Sequence, residues 1–284
     1  MQKTELEKYY EKFNEDHRLK TRHGQVEFFV TMKNILAAAN GDFLKAQEAA
    51  SASERSQGQE WAAPARPNVP LKILDVGAAT GAYSVPLSRQ GFDVTAVELV
   101  KSNLEKLRSK HEKVKCWQGD ARSLSFLDDE TFDIVLLLGP LYHLHSKEDK
   151  LRALSEAARV AKKGAPIFCA YVMNEYAVTQ YCFGQNKIKE NLASGQIDKS
   201  FKTISSDGDL YSYVRLEDIN ALAKESGLGR IKIFSPDGPA DYMRRSLNAM
   251  DEESFELFKD YALEISERPE LLGAGSHLVD VLRK

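Results

Sequence analysis

Residues 73–81 read Ile-Leu-Asp-Val-Gly-Ala-Ala-Thr-Gly, a short apolar run that ends on an acid and opens into a loop punctuated by Gly77 and Gly81. The run from Leu71 to Val76 is too short and too β-branched at its centre for a helix, whereas Ala82 to Gln90 beyond the turn reads as helical. A strand, a tight turn and a helix in that order put the turn at the carboxyl edge of an open α/β sheet. Small polar ligands meet free backbone N–H groups there, at the N-terminus of the helix. Pro86 requires the helix to start near Ser84, because proline is tolerated in the first turn and breaks the interior.

A missing glycine narrows the ligand. The dinucleotide pattern G-x-G-x-x-G uses its second glycine to admit a pyrophosphate. Here that position is Ala79 and the third is Ala82. The loop is poorly suited to a diphosphate and adequate for a ligand that brings a ribose and an amino acid. No Gly-Lys-Ser/Thr follows, which excludes a P-loop. The next two strands supply matching acids. Asp93 to Glu98 ends on a carboxylate 21 residues after Gly77, the interval of about 20 at which an acid accepts from ribose hydroxyls. Val114 to Gln118 is followed by Gly119-Asp120-Ala121, so Asp120 sits one strand further along the same edge, where it can accept from an adenine amino group. Taken singly, Glu98 is equally a solvated strand end and Asp120 a turn residue; their register at successive strand ends carries the argument.

Strands at about 71–76, 93–98, 114–118, 132–138 and 165–172 alternate with helices at about 82–90, 100–111 and 147–162, a pattern that implies a parallel sheet. Ahead of them, Glu5 to Arg18 and Val26 to Ala39 carry apolar residues at helical spacing. Ser51 to Pro70 is rich in Ser, Gln, Ala and Pro and reads as a connection. Towards the C-terminus the expectations are a mainly helical stretch from Met173 to Ala193 and a hairpin from Phe201 to Val214 around Ser205-Ser206-Asp207-Gly208. A helix from Leu216 to Ser226 capped by Gly227 follows, then a strand from Arg230 to Phe234, a helix from Asp241 to Glu267 and a last strand from His277 to Leu282.

These segments resemble the class I S-adenosylmethionine-dependent methyltransferases. The resemblance rests on Asp75-Val-Gly-Ala-Ala-Thr-Gly81, Val97-Glu98-Leu99, Gly119-Asp120-Ala121 and Phe132-Asp-Ile-Val-Leu-Leu-Leu-Gly-Pro-Leu-Tyr-His143. It covers residues 70–172 in good register and is similar in flavour to the small-molecule branch with quinone-biosynthesis and glycine N-methyltransferase-like enzymes. It implies a Rossmann-like α/β fold with a seven-stranded sheet of order 3-2-1-4-5-7-6, the last strand antiparallel, with helices on both faces. Residues 1–70 become an N-terminal helical cap and linker. Residues 71–284 become the methyltransferase domain, with substrate-side additions at about 173–214 and 236–270. The implied cofactor is S-adenosylmethionine, leaving as S-adenosylhomocysteine, with no metal. Its contacts fall on Asp75, Gly77, Ala78, Ala79, Gly81, Glu98, Leu99, Asp120, Ala121, Leu138 and Gly139: glycine loop on the methionine end, Glu98 on the ribose, Gly-Asp-Ala on adenine. Ala79 departs from the glycine many members carry, at a site that needs only a small side chain.

Methyl transfer from a sulfonium needs alignment and exclusion of water, with a base where the acceptor is a phenol, enol or protonated amine. The turn after the fourth strand, Gly139-Pro-Leu-Tyr-His-Leu-His145, puts His143 forward as the base and Tyr142 as a pocket wall, against the plainer reading of a hydrogen-bonded loop histidine. Tyr9, Tyr10, Arg18, Arg22 and His23 form either a lid over the cofactor or plain packing on the sheet. The stretch lacks the Asn/Asp-Pro-Pro-Tyr arrangement with which amino-methylating nucleic-acid enzymes grip a flipped base.

Composition agrees. The chain has 284 residues, is 43% hydrophobic and 29% charged and carries a net charge of −3, ordinary for a soluble globular protein and against a nucleic-acid partner. Lys101, Lys106, Arg108, Lys110, Lys113 and Lys115 crowd one helix and turn, where Leu104 and Leu107 bury the opposite side and leave a solvated basic face. No apolar run approaches the ~18 residues of a membrane span, and Met1 to Lys20 lacks an apolar signal core, so cytoplasmic residence is the expectation. Cys116, Cys169 and Cys182 form no C-x-x-C pair and read as reduced core or wall residues. The function expected is methyl transfer to a small-molecule acceptor. An RNA or protein methyltransferase, a non-catalytic S-adenosylmethionine-binding regulator and, last, a nicotinamide oxidoreductase stand behind it. Neither the acceptor nor the oligomeric state is legible.

Overall fold

The computed structural model describes residues 5–12, 18–42, 69–206 and 208–284. Most of the expected connection at 51–70 and residues 13–17 of the first expected helix lie outside the described residues. The strands are β1 (Lys72–Val76), β2 (Asp93–Glu98), β3 (Val114–Gln118), β4 (Ile134–Leu137), β5 (Pro166–Met173), β6 (Tyr213–Val214), β7 (Gly229–Phe234) and β8 (His277–Arg283). They form one sheet of order β3-β2-β1-β4-β5-β8-β7, with β6 paired to β5 off this path. The order is the expected one with a two-residue eighth strand added. Strands β1 to β5 pair in parallel and β8 runs antiparallel between β5 and β7.

Both faces of the sheet are covered, and the alternation of strand side chains shows how. From β1, β4 and β5, the residues Leu74, Val76, Val135, Leu137, Ile167, Cys169 and Tyr171 enter one core. There they meet Ala153, Leu154, Ala157 and Val160 of α5 (Lys147–Val160) and Ile219 and Leu222 of α8 (Leu216–Ser226). Their neighbours Ile73, Ile134, Leu136, Phe168 and Ala170 enter the opposite core, against Val26, Val30 and Ile35 of α2 (Arg22–Ala39) and Leu87 of α3 (Ser84–Arg89). Phe255 and Ala262 of α10 (Glu252–Ile265) close that side. The other helices among the described residues are α1 (Glu5–Lys12), α4 (Lys101–Ser109), α6 (Asn174–Ala177), α7 (Ile188–Ser194) and α9 (Arg244–Ala249). Helix α1 lies against α4, and Leu104 and Leu107 of α4 are buried as its spacing requires.

Helix α2 begins at Arg22, four residues before its first expected residue, because the Thr21 hydroxyl accepts from the Gly24 N–H and caps it. Helix α3 starts at Ser84, as Pro86 demands, and α8 ends on Gly227 in the left-handed conformation at φ 71°.

Two expectations need correction. The hairpin from Phe201 to Val214 does not form: β6 pairs in parallel with Val172 and Met173, and the Ser212 N–H donates to the Tyr142 carbonyl. Free backbone at the carboxyl end of β5 offers a better partner than the segment offers itself. The stretch from Met173 to Ala193 is mainly helical as expected, divided into α6, a π-helical turn from Val178 to Phe183 and α7. The helix from Asp241 to Glu267 is two, because Asp251 caps a new one, its side chain accepting from Ser254 N at 2.8 Å.

Candidate active site

The loop between β1 and α3 turns sharply because two of its residues have no side chain. Gly77 has φ +75°, and a Cβ there would stand 2.7 Å from Cδ of Pro140. Gly81 has φ +89° and faces the Leu107 side chain in the same way. Ala79 between them holds φ 47°, in the left-handed region that costs a non-glycine residue about 1–2 kcal/mol. Its N–H is tied down: Oε2 of Glu98 accepts it at 2.7 Å, while Oε1 of Glu98 accepts the N–H of Val100 at the same distance. Glu98 is 5% exposed. One carboxylate therefore joins the glycine loop to the end of β2.

These groups border a cavity of about 550 Å³. Asp75, Gly77, Ala78, Ala79, Glu98, Leu99, Asp120, Ala121, Leu138 and Gly139 line it, together with Tyr142 and His143. Gly81, expected among the contacts, shapes the loop and does not reach the cavity wall. Asp75 is buried, and burial pushes its pKa up to about 6 against hydrogen bonds from Ser84, whose hydroxyl donates to Oδ2 at 2.6 Å. Asp120 is held by Arg122, which donates to both oxygens from its side chain and to Oδ1 from its backbone. Burial raises the Asp120 pKa, the Arg122 bonds outweigh it, and the result lies below the ordinary carboxylate value. Arg122 also reaches Asp149 at 2.8 Å.

Several wall residues carry no sequence signal. Asn103 on α4 is 1% exposed, and among the described residues its Oδ1 has no hydrogen-bond partner although the side chain borders the cavity. A buried amide oxygen left in this way fits a ligand that brings a donor. Arg122, Asp149 and Leu210 likewise reach the wall through tertiary packing.

A second cavity, of about 560 Å³, adjoins the first and shares Tyr10, Arg18 and Tyr142 with it. Tyrosines dominate its wall, among them Tyr9, Tyr176, Tyr211 and Tyr213, and charged side chains stand around them in pairs. Arg18 holds Glu27 at 2.8 Å, Arg244 holds Asp241 at 2.6 Å, and His277 meets Asp237 at 2.8 Å. Four of the five lid candidates, Tyr9, Tyr10, Arg18 and His23, face one or both cavities. Arg22 turns away, paired with Glu252 at 3.0 Å and lying over the Phe255 ring.

His143 stands in the short 3-10 turn Pro140–His143, with its tautomer set by its partners. Nδ1 lies 2.8 Å from the carbonyl of Leu210, which can only accept, so Nδ1 carries the proton. Nε2 then accepts from the Tyr10 hydroxyl at 2.9 Å. Burial lowers the His143 pKa to about 4, the Leu210 bond opposing and His145 adding to the fall. The ring is neutral at pH 7, with its lone pair already engaged.

Among the described residues no cluster of His, Cys, Asp and Glu is arranged to hold a metal ion, and no helix is long and apolar enough to cross a membrane. The basic residues after β2 are drawn into local contacts: Lys115 pairs with Asp93, Lys110 donates to the Thr80 carbonyl and Arg108 to that of Cys116.

Residues 74–169 match the family described as methyltransferase domain. A glycine/sarcosine N-methyltransferase of Aphanothece halophytica is 29% identical over 116 residues, 39% of this chain and 44% of that protein. A demethylmenaquinone methyltransferase of Streptomyces avermitilis is 31% identical over 143 residues, 50% of this chain and 58% of that protein. The chain spans about half the length of the curated relatives it matches. A SAM-dependent methyltransferase of Methanosarcina mazei shares the fold, with a TM-score of 0.51 at 14% identity over 76% of this chain and 92% of that one.

Proposed function

We propose that the chain, whose residues 74–169 match the methyltransferase domain family, is a class I S-adenosylmethionine-dependent methyltransferase that transfers a methyl group to a small-molecule acceptor. The observation that carries the proposal is the pair of adjoining cavities with a common wall at Tyr10, Arg18 and Tyr142. The first takes the cofactor: Glu98 and Asn103 meet the ribose side, Leu99, Asp120 and Ala121 the adenine, and Asp75 with the Gly77–Ala79 turn the amino-acid end. S-adenosylmethionine supplies an electrophilic methyl carbon on a sulfonium. The second cavity takes the acceptor, and its tyrosine wall suits a small amine or aromatic compound.

The chain's own residues then have an orienting task. Holding two reactants in line and dry contributes about 7–11 kcal/mol at best to lowering the barrier. Tyr142 stands where the two ligands meet. His143, neutral and fixed by Leu210, holds the Tyr10 hydroxyl and so closes the N-terminal segment over the junction. That segment is the lid of this reading.

Calorimetric titration with S-adenosylhomocysteine and with NAD separates the cofactor classes. Incubation with S-adenosylmethionine and sarcosine, tyramine or catechol then tests the acceptor class, with S-adenosylhomocysteine release as the readout. Methylation of RNA or peptide pools, falling steeply with salt and without turnover of small molecules, sinks the small-molecule reading.

A further inference from the structure

The acceptor cavity contains an imidazole with a built orientation and a free nitrogen. His277 opens β8, and because that strand runs antiparallel to β5 its first residue lies at the carboxyl edge, opposite Val172. Asp237 follows β7 and reaches the same edge. Oδ2 of Asp237 is 2.8 Å from Nδ1 of His277, and the carboxylate also accepts the His277 backbone N–H at 3.1 Å. An ionised carboxylate can only accept, so Nδ1 carries the proton and Nε2 the lone pair of the neutral ring. Among the described residues nothing is hydrogen-bonded to Nε2, and the ring borders the cavity with its centroid 6.4 Å from that of Tyr142. The approach depends on Gly275, since a Cβ there would stand 2.6 Å from Oδ1 of Asp237 and from the Ser235 hydroxyl.

We propose that His277, oriented by Asp237, takes the proton of the methyl acceptor. The proposal rests on the second cavity being the acceptor site. The acceptor's heteroatom forms its bond to the methyl carbon as the carbon–sulfur bond breaks and the electron pair of that bond stays on sulfur. The proton on the heteroatom passes to Nε2, and the imidazolium produced stands against the Asp237 carboxylate. The acceptor class is one with a proton to lose at the methylated atom: an amine, a phenol or an enol. His143 is placed differently, with its corresponding nitrogen already accepting from Tyr10.

The groups that face His277 make it a strong base. Burial lowers its pKa, Glu27 on α2 and the bonded Asp237 outweigh burial, and Arg18 opposes them, leaving a value of about 9. Ser276 stands beside Nδ1 at 2.8 Å, and His23, Asp241, Arg244, Tyr142 and Tyr211 border the same cavity. At neutral pH the resting ring is protonated, so transfer should quicken about tenfold per pH unit until it levels near 9.

The test uses the full chain with His277→Gln and Asp237→Asn. Imidazole NMR of the unmodified protein should show one histidine titrating near 9, absent from His277→Gln, with the neutral ring protonated on Nδ1; in Asp237→Asn its pKa should fall. With whichever of sarcosine, tyramine and catechol turns over fastest, His277→Gln should lower kcat by about 10²- to 10⁴-fold and flatten the pH profile. Asp237→Asn should move the profile's rising limb to lower pH. S-adenosylhomocysteine binding, measured by calorimetry, should be unchanged in both. A His277 variant with wild-type kcat and pH profile overturns the proposal. So does a His277 ring that is neutral below pH 7 or carries its proton on Nε2, a readout that needs no turnover. Failure of the unmodified protein to bind S-adenosylhomocysteine strikes instead at the methyltransferase reading.

Discussion

Glu98→Gln tests how the cofactor cavity is held together. The two Glu98 oxygens accept the N–H groups of Ala79 and Val100, both at 2.7 Å, from a side chain that is 5% exposed. Glutamine keeps one oxygen and turns an amide NH₂ towards the other N–H. The retained bond loses its charge, worth about 1 kcal/mol, and the other leaves a buried donor unpaired at about 1–3 kcal/mol. Ala79 sits at φ 47°, so losing its anchor lets the turn relax to a conformation that favours alanine. The loss of about 2–4 kcal/mol is then divided between stability and binding, because the same carboxylate is assigned to the ribose. If about 2 kcal/mol of it falls on binding, S-adenosylhomocysteine affinity drops about 30-fold, with a fall of several degrees in Tm. Calorimetry and thermal melts read the two directly. A Kd within threefold of wild type together with an unchanged Tm refutes the clamp.

Other perturbations probe the frame around the site. Gly77→Ala should cost about 2–4 kcal/mol in urea melts, about 1–2 for the left-handed backbone and the remainder for collision with the rigid Pro140 ring; a cost under 1 kcal/mol contradicts that packing. Arg230→Met strands Asp280, which is 0% exposed and held through both oxygens at 2.7 Å, and should cost about 3–5 kcal/mol, while Arg230→Met with Asp280→Leu should recover most of it. Burial already raises the Asp280 pKa against the Arg230 bond. The folded state therefore binds that proton more readily than the unfolded chain, and stability gains as pH falls through the folded pKa. Removing Arg230 raises this pKa further, so the single variant should regain stability on acidification; a variant that only weakens as pH falls argues against the pairing. Asp75 titrates near 6; with its charge assigned, as proposed above, to the amino-acid end of S-adenosylmethionine, affinity should fall as pH drops through 6. Asp75→Asn should remove that dependence, and calorimetry from pH 5 to 8 decides.

Local chemistry makes the first half of the site legible in the amino-acid sequence. Gly77 and Gly81 announce a turn that only glycine makes comfortably, Pro86 sets the start of α3, and Glu98 ends β2 while Asp120 follows β3, at intervals a parallel sheet converts into one edge. Such signals depend on neighbours within a few residues or on a two-residue period, and short-range sterics write them directly into the chain. Ala79 shows the limit: its small size is readable, while its left-handed backbone and its bond to Glu98 exist only once β1 and β2 lie side by side. The hairpin expected at 201–214 fails for the same reason, since the competing partner at the end of β5 is far away in sequence. His143 reads as a base from its place after β4, while the basicity of its ring is set first by burial and then by the bond to Leu210, both products of packing, with only His145 contributing from nearby in the chain. Asp237 and His277 lie 40 residues apart with no pattern linking them. The sheet, the glycine turn and the methyl donor can thus be read from the chain alone, because they follow from local backbone preference and strand-end chemistry. Which side chains surround the second cavity emerges only on folding, because it is assembled from the N-terminal segment and from β5, β6 and β8, whose meeting is a matter of packing.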